Sequence, residues 1–274
     1  MPTLTATPTE LRSMHSAMQQ RTIPHHIDAT ALDQFINKLL PADIATAPPS
    51  RTFAARTALA SFANRTQKLE EKKDAEELTD TDVNEEPRSC LIMIGEADTP
   101  LRTCTLIWID RRDKLARIFS PGTDKLRGEW TRLVTDACNL TSHRISDLTF
   151  YRPMGITEGE DHTGNRAAID ADNASLAAIA AQLLLGVSSN PPPPSPEDTG
   201  VWRELVHTLC STDAPLPRLD EHLRAEVASW GSVTRGESAK TASALLKYVA
   251  KEVGRTNTIA AFYLEGLLRS WCTG

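Results

Sequence analysis

SCLIMIG (Ser89–Gly95), TCTLIWID (Thr103–Asp110) and LARIFS (Leu115–Ser120) are three short apolar runs rich in β-branched residues, each stopped by turn formers. Runs of that length and composition predict buried strands. The four residues RRDK between the second and third are few enough for a hairpin. ISDLTFYRP (Ile145–Pro153) predicts a fourth strand, stopped by Pro153.

Helical periodicity surrounds this core. HHIDATALDQFINKLL (His25–Leu40) reads as a capped helix, with Asp28 placed to accept from open amides and Leu32, Phe35, Ile36, Leu39 and Leu40 on one face. Pro41 and the Pro48–Pro49 pair then read as a loop, and a second helix is expected from Arg51 to about Leu78. Its later part enters a mixed-charge stretch at 68–88 with no apolar face, which predicts a solvated helix end and an acidic loop. After the hairpin, Leu126, Trp130, Leu133 and Val134 are spaced for a third helix. The glycine- and acid-rich stretch from Gly155 to about Asp172 reads as a loop. NASLAAIAAQLLLG (Asn173–Gly186) reads as a strong helix, with Gly186 placed to end it.

SSNPPPPSPEDTG (Ser188–Gly200) marks a boundary, because four prolines in a row form an extended polyproline spacer and cannot join a helix or an inner strand. A rigid linker is the expectation, with a ligand for proline-recognising domains as the rival. Beyond it Trp202, Leu205, Val206 and Leu209 begin a series of helical stripes, predicting a small bundle or a helical cap on the preceding domain. The expected organisation is a lead-in over 1–26, an α+β domain over 27–187, a proline-rich linker over 188–198 and a helical C-terminal domain over 199–274.

Composition narrows the function classes. The chain has 274 residues, 40% hydrophobic and 24% charged, which suits a globular protein with a sizeable core. A net charge of -6 gives no reason to expect nucleic-acid binding, which relies on clustered positive charge. Five cysteines without C-x-x-C spacing disfavour a disulfide framework and a zinc site, so reduced thiols and a cytoplasmic or nuclear location are expected. No apolar run is long enough to span a bilayer and the first residues lack a secretory signal core, so no membrane association is expected. No nucleotide-binding, serine-hydrolase or zinc-protease motif occurs, and no cofactor is implied.

The order of elements and three motifs together resemble the ubiquitin-like-protein-specific (SUMO-deconjugating, adenain-like) cysteine proteases, over roughly Ile27 to Gly186. TCTLIWID is similar to that family's H-W-x-L-x-x-I-D through Leu106, Ile109 and Asp110, which puts Thr103 at the histidine position. ARIFSPG is similar to the stretch ending in the catalytic aspartate, which falls on Ser120. DADNASLAAIAAQLLLG is similar to the D-C-G helix, with Asn173, Ala174 and Ser175 at those three positions. LDQFINKLL looks like the family's substrate-side opening helix.

The resemblance implies a papain-like fold, but Thr103, Ser120 and Ala174 supply no base, no orienting carboxylate and no nucleophile. It therefore implies a catalytically inactive relative acting as a protein-binding or scaffold module, with a ubiquitin-like modifier as a candidate partner. Under it, Thr103, Ser120 and Ala174 should face one another where the sheet meets the Asn173–Gly186 helix. Cys104, next to Thr103 on a strand, should point to the other face and read as a small buried apolar residue. His162 reads as a solvated loop residue, and Asp170 and Asp172 as favourable charges at a helix start. Trp108, Trp130 and Asp172 are the candidate binding residues, the two tryptophans also reading as core. The alternatives are an active cysteine peptidase with its triad elsewhere, and an unrelated α/β interaction protein. The oligomeric state is left open.

Overall fold

The computed structural model describes residues 27–41, 44–74, 90–96, 104–110, 113, 115–120, 124–139, 147–151, 166–188, 191, 194, 196–211, 240–242 and 244–245. The chain runs through α1 (Ala29–Leu39), β1 (Ile44–Arg51), α2 (Thr52–Asp74), β2 (Cys90–Glu96), β3 (Cys104–Asp110) and β4 (Leu115–Phe119). Then come α3 (Asp124–Asn139), β5 (Asp147–Tyr151), α4 (Arg166–Leu184) and α5 (Pro196–Ser211). The fold is α+β, with one five-stranded mixed sheet in the order β1-β2-β3-β4-β5.

The three apolar runs form an antiparallel meander, with Leu91 opposite Ile109 and Ile107 opposite Ile118. Each edge strand joins in parallel, β1 onto β2 and β5 onto β4. Parallel neighbours cannot be joined by a tight turn, and here α2 and α3 lie in the two crossovers.

Side chains alternate strictly between the two faces of the sheet. Cys90, Ile92, Ile94, Cys104, Leu106, Trp108, Leu115 and Phe119 join one cluster with α1, α4 and α5. Leu91, Met93, Ile107, Ile109, Ala116 and Ile118 join a second with Leu59 of α2 and Trp130, Leu133 and Val134 of α3. Helices therefore cover both faces.

The structure corrects four expectations. Residues 44–51, read as a loop because of Pro48–Pro49, form an edge strand whose register shifts between Ala47 and Ser50. Proline is tolerated there because an edge strand needs no amide donor on its open side, and it blunts that edge against further pairing. Helix α4 starts at Arg166 and not near Asn173. Ala167 and Ala168 favour helix, so the apparent loop ends earlier than its acids suggest. The boundary at 188–198 does not separate two cores, since Trp202, Leu205, Val206 and Leu209 pack in the same cluster as α1 and α4. Trp202 meets Phe35 edge-on, with ring centroids 6.4 Å apart and planes at 86°. Of the two arrangements open for the C-terminal helices, α5 adopts the cap, and Ala242, Ala244 and Leu245 join the same cluster. Lastly, Trp130 is fully buried against Gly95 and serves as core, not as a surface contact.

Helix α4 is buried on every side from Asp172 to Leu184, as expected of a helix with apolar residues on all its faces. It ends as its sequence predicts. Gly186 has φ of 68°, its amide donates to Leu183 O at 3.1 Å, and the Val187 amide donates to Gln182 O at 2.9 Å. That pair of bonds is the Schellman closure, which needs a residue tolerant of the left-handed region. Residues 1–26, most of 212–274, and the parts of the charged and glycine-rich stretches at 75–89 and 152–165 lie outside the described residues.

A Cβ added at Gly95 would sit 2.4 Å from Trp130 Cζ2, and the indole cannot withdraw because both it and the strand are buried. Gly95→Ala is expected to lower stability by about 1–3 kcal/mol through overpacking. Gly128→Ala, on α3 with nothing within 4 Å of the added methyl, should instead raise it by about 0.5–1 kcal/mol. Urea unfolding of both variants checks the opposite signs.

Candidate functional site

The resemblance directs attention to the start of β3, the end of β4 and helix α4. What meets there follows from strand alternation. Cys104 belongs to the cluster that contains α4, and its sulfur hydrogen-bonds the Asn173 carboxamide. The residue expected to point away from α4 therefore faces it, because in a strand a one-residue shift in reading moves a side chain to the opposite face.

Ser120 goes the other way. Its hydroxyl lies 3.0 Å from Thr105 Oγ1, and Thr105 alternates with Cys104 and Leu106 onto the side of Ile107 and Ile109, which belongs to α2 and α3. Ala174 is fully buried in the α1–α4–α5 cluster. The sheet stands between Ser120 and Ala174, so these two of the three expected positions do not converge. Thr103 lies outside the described residues.

Asn173 and Asp170, three residues apart on α4, hold one residue at the approach to α1. The Ile27 amide donates to Asp170 Oδ1 at 2.6 Å, and Asn173 Nδ2 donates to Ile27 O at 2.6 Å. Both α4 side chains are buried, and Ile27 is 1% exposed. Next to it Asp28 caps α1, its extended backbone (φ -97°, ψ -179°) letting Oδ1 accept from the Ala31 amide at 2.8 Å. Ile27 and Leu32, the positions just before the cap and one turn into the helix, are buried in one cluster, which is the spacing of a hydrophobic staple. On the outer side Arg203 of α5 places Nη1 3.9 Å from Asp170 Oδ2. The Arg203 side chain is half exposed, so this pair contributes little by itself.

Asp170 and Asp172 are thus interior residues of α4, the fifth and seventh from its start, and not charges at its first turn. Asp172 and Trp108, offered as surface contacts, are both buried. Trp108 faces α4 in the core and lies opposite Arg117 across the β3–β4 pair. Arg117 is 7% exposed and alternates with Ala116 and Ile118 onto the α4 side. It is a buried cation that the apolar pattern of LARIFS concealed. Asp110, the acid shared with the protease motif, accepts from the Asp113 amide at 3.3 Å and serves the β3–β4 turn.

The electrostatics around Cys104 oppose thiol chemistry. Burial pushes the Cys104 thiol far above its ordinary range, and the carboxylates of Glu96 and Asp28 push it further. The Asn173 hydrogen bond opposes them only in part. A reactive cysteine needs cationic surroundings or a helix N-terminus. Ala174 is the ninth residue of α4, well past the first turn where the helix dipole acts. Cys210 of α5 donates to Ala31 O at 3.3 Å. Burial pushes its thiol up to about 11, with Lys38 lowering it and Asp28 raising it. Among the described residues, no group of three or more His, Cys, Asp or Glu side chains gathers to hold a metal ion, and no helix is long and apolar enough to cross a membrane.

No family model matches the chain, and neither a curated protein nor a solved structure matches it.

Removing either half of the Ile27 clamp strands a buried main-chain group. Asp170→Ala and Asn173→Ala are each expected to cost about 1–3 kcal/mol in chemical denaturation. Faster hydrogen exchange at the Ile27 amide in Asp170→Ala is the local signature. The Cys210 thiol gives a pH test. Its value rises from 9.0 to about 11 on folding, so the folded state holds this proton more tightly. The associated stability is complete below pH 9 and is lost as pH rises toward 11. Stability of the wild type is expected to fall over that window and to fall less in Cys210→Ala. Alkylation of native Cys210, followed by mass spectrometry, should remain slow at pH 8.5 and accelerate toward pH 11.

Proposed function

We propose that this chain is a non-catalytic protein-binding or scaffold module, built on a frame like that of the ubiquitin-like-protein-specific cysteine proteases, with a ubiquitin-like modifier as the candidate partner. The order of elements supports the frame. A helix precedes the sheet, the antiparallel pair β3–β4 leads through α3 to β5, and β5 leads to the buried helix α4. One observation carries the non-catalytic reading. Where a nucleophile and its base would meet, the chain has Ala174 and an Asn173–Cys104 pair whose thiol is held protonated by burial and two carboxylates. Asp170 Oδ1 and Asn173 Nδ2 serve Ile27, and neither Ala174 nor the protonated Cys104 thiol supplies the thiolate that acyl transfer needs.

A second reading has its own support. Ser120 and Ala174 on opposite sides of the sheet fit an interaction protein on an unrelated α/β frame. Binding separates the two, because capture of SUMO or ubiquitin by the intact chain is expected under the first reading and not under the second. An active peptidase is tested by chemistry. Incubated with an electrophilic thiol probe and with fluorogenic substrates bearing ubiquitin or SUMO tails, the folded chain is expected to show no labelling of Cys104 at neutral pH and no hydrolysis. Labelling of a single cysteine, together with turnover that a Cys→Ser change at that residue abolishes, would overturn the non-catalytic reading.

A further inference from the structure

The four prolines at 191–194 read as a free spacer or as an exposed ligand, and the structure supports neither for the residues it describes. Pro191 and Pro194 are both buried. Residues three apart, the spacing of Pro191 and Pro194, share one edge of an ideal polyproline helix. A spacer in water would bury neither. The segments on either side are also fixed. Upstream, Leu184 and Leu185 lie in the core and Gly186 closes α4. Downstream, α5 begins at Pro196 and sets Trp202 and Leu205 into the same core.

We infer that Pro191 and Pro194 are the docked anchors of a strap that holds α5 against α4. Its pre-set backbone suits the task, because proline gives up little conformational freedom on docking. The Pro191-x-x-Pro194 spacing is also the one read by aromatic-lined grooves of proline-recognising domains. With both of these residues buried, that pair is withheld from such partners.

The test replaces both anchoring residues in the full chain, Pro191→Ser with Pro194→Ser. A strap predicts that the thermal midpoint falls by about 2–4 °C, the shift of a modest destabilisation in a domain of this size. It also predicts that amide exchange quickens across Pro196–Ser211 more than across β3. A free linker predicts no change in either. A midpoint within about 1 °C of wild type, or a fall without preferential loss of protection in α5, overturns the inference. Should the double variant not fold, the single change Pro194→Ser carries the same two readouts.

Discussion

Everything in this fold follows from three strands that are apolar on both faces. β2, β3 and β4 put successive side chains alternately into two separate clusters, so neither face can be left to water. The chain meets that demand with α1, α4 and α5 on one side and α2 and α3 on the other. The parallel edges are a consequence. A helix that must return across the sheet delivers the next strand in the same direction, which is how β1 joins β2 and β5 joins β4. Proline in β1 then closes one edge to further pairing.

Burying α4 on all sides creates a second demand. A helix in that position carries polar side chains at least cost where their donors and acceptors find partners. Asp170 and Asn173 find theirs in the main chain of Ile27, which ties the approach to α1 to the middle of the domain. This ordering role competes with chemistry. Asp170 Oδ1 and Asn173 Nδ2 are committed to a peptide unit, and burial followed by nearby carboxylates favours the neutral form of the thiol beside them. The same surroundings that make the interior stable make Cys104 inert.

The meander, the hairpin, helix α1 with its Asp28 cap and the glycine stop at Gly186 were all legible from apolar runs, periodicity and capping residues, because those signals are local. Strand β1 was hidden by its prolines, which argue against an inner strand and say little about an edge. The first turns of α4 were hidden by acids that look like loop. The face of Cys104 follows from a two-residue period, so a motif match that turns Thr103 inward puts Cys104 on the wrong side of the sheet. Arg117 and Asp170 gave no signal, since nothing nearby in the chain says that a charge will be buried.

By itself the sequence determined the fold class, the strands of the core, the faces of the helices and the lack of any standard catalytic motif, since each of these depends on residues within a few positions of one another. Only the tertiary structure decided that α5 caps the main core beyond four prolines, that Ser120 and Ala174 lie on opposite sides of the sheet, and that α4 holds Ile27 from more than a hundred residues away. Those outcomes depend on which faces come together, and the packing of one buried helix between a sheet and its two neighbours settled them.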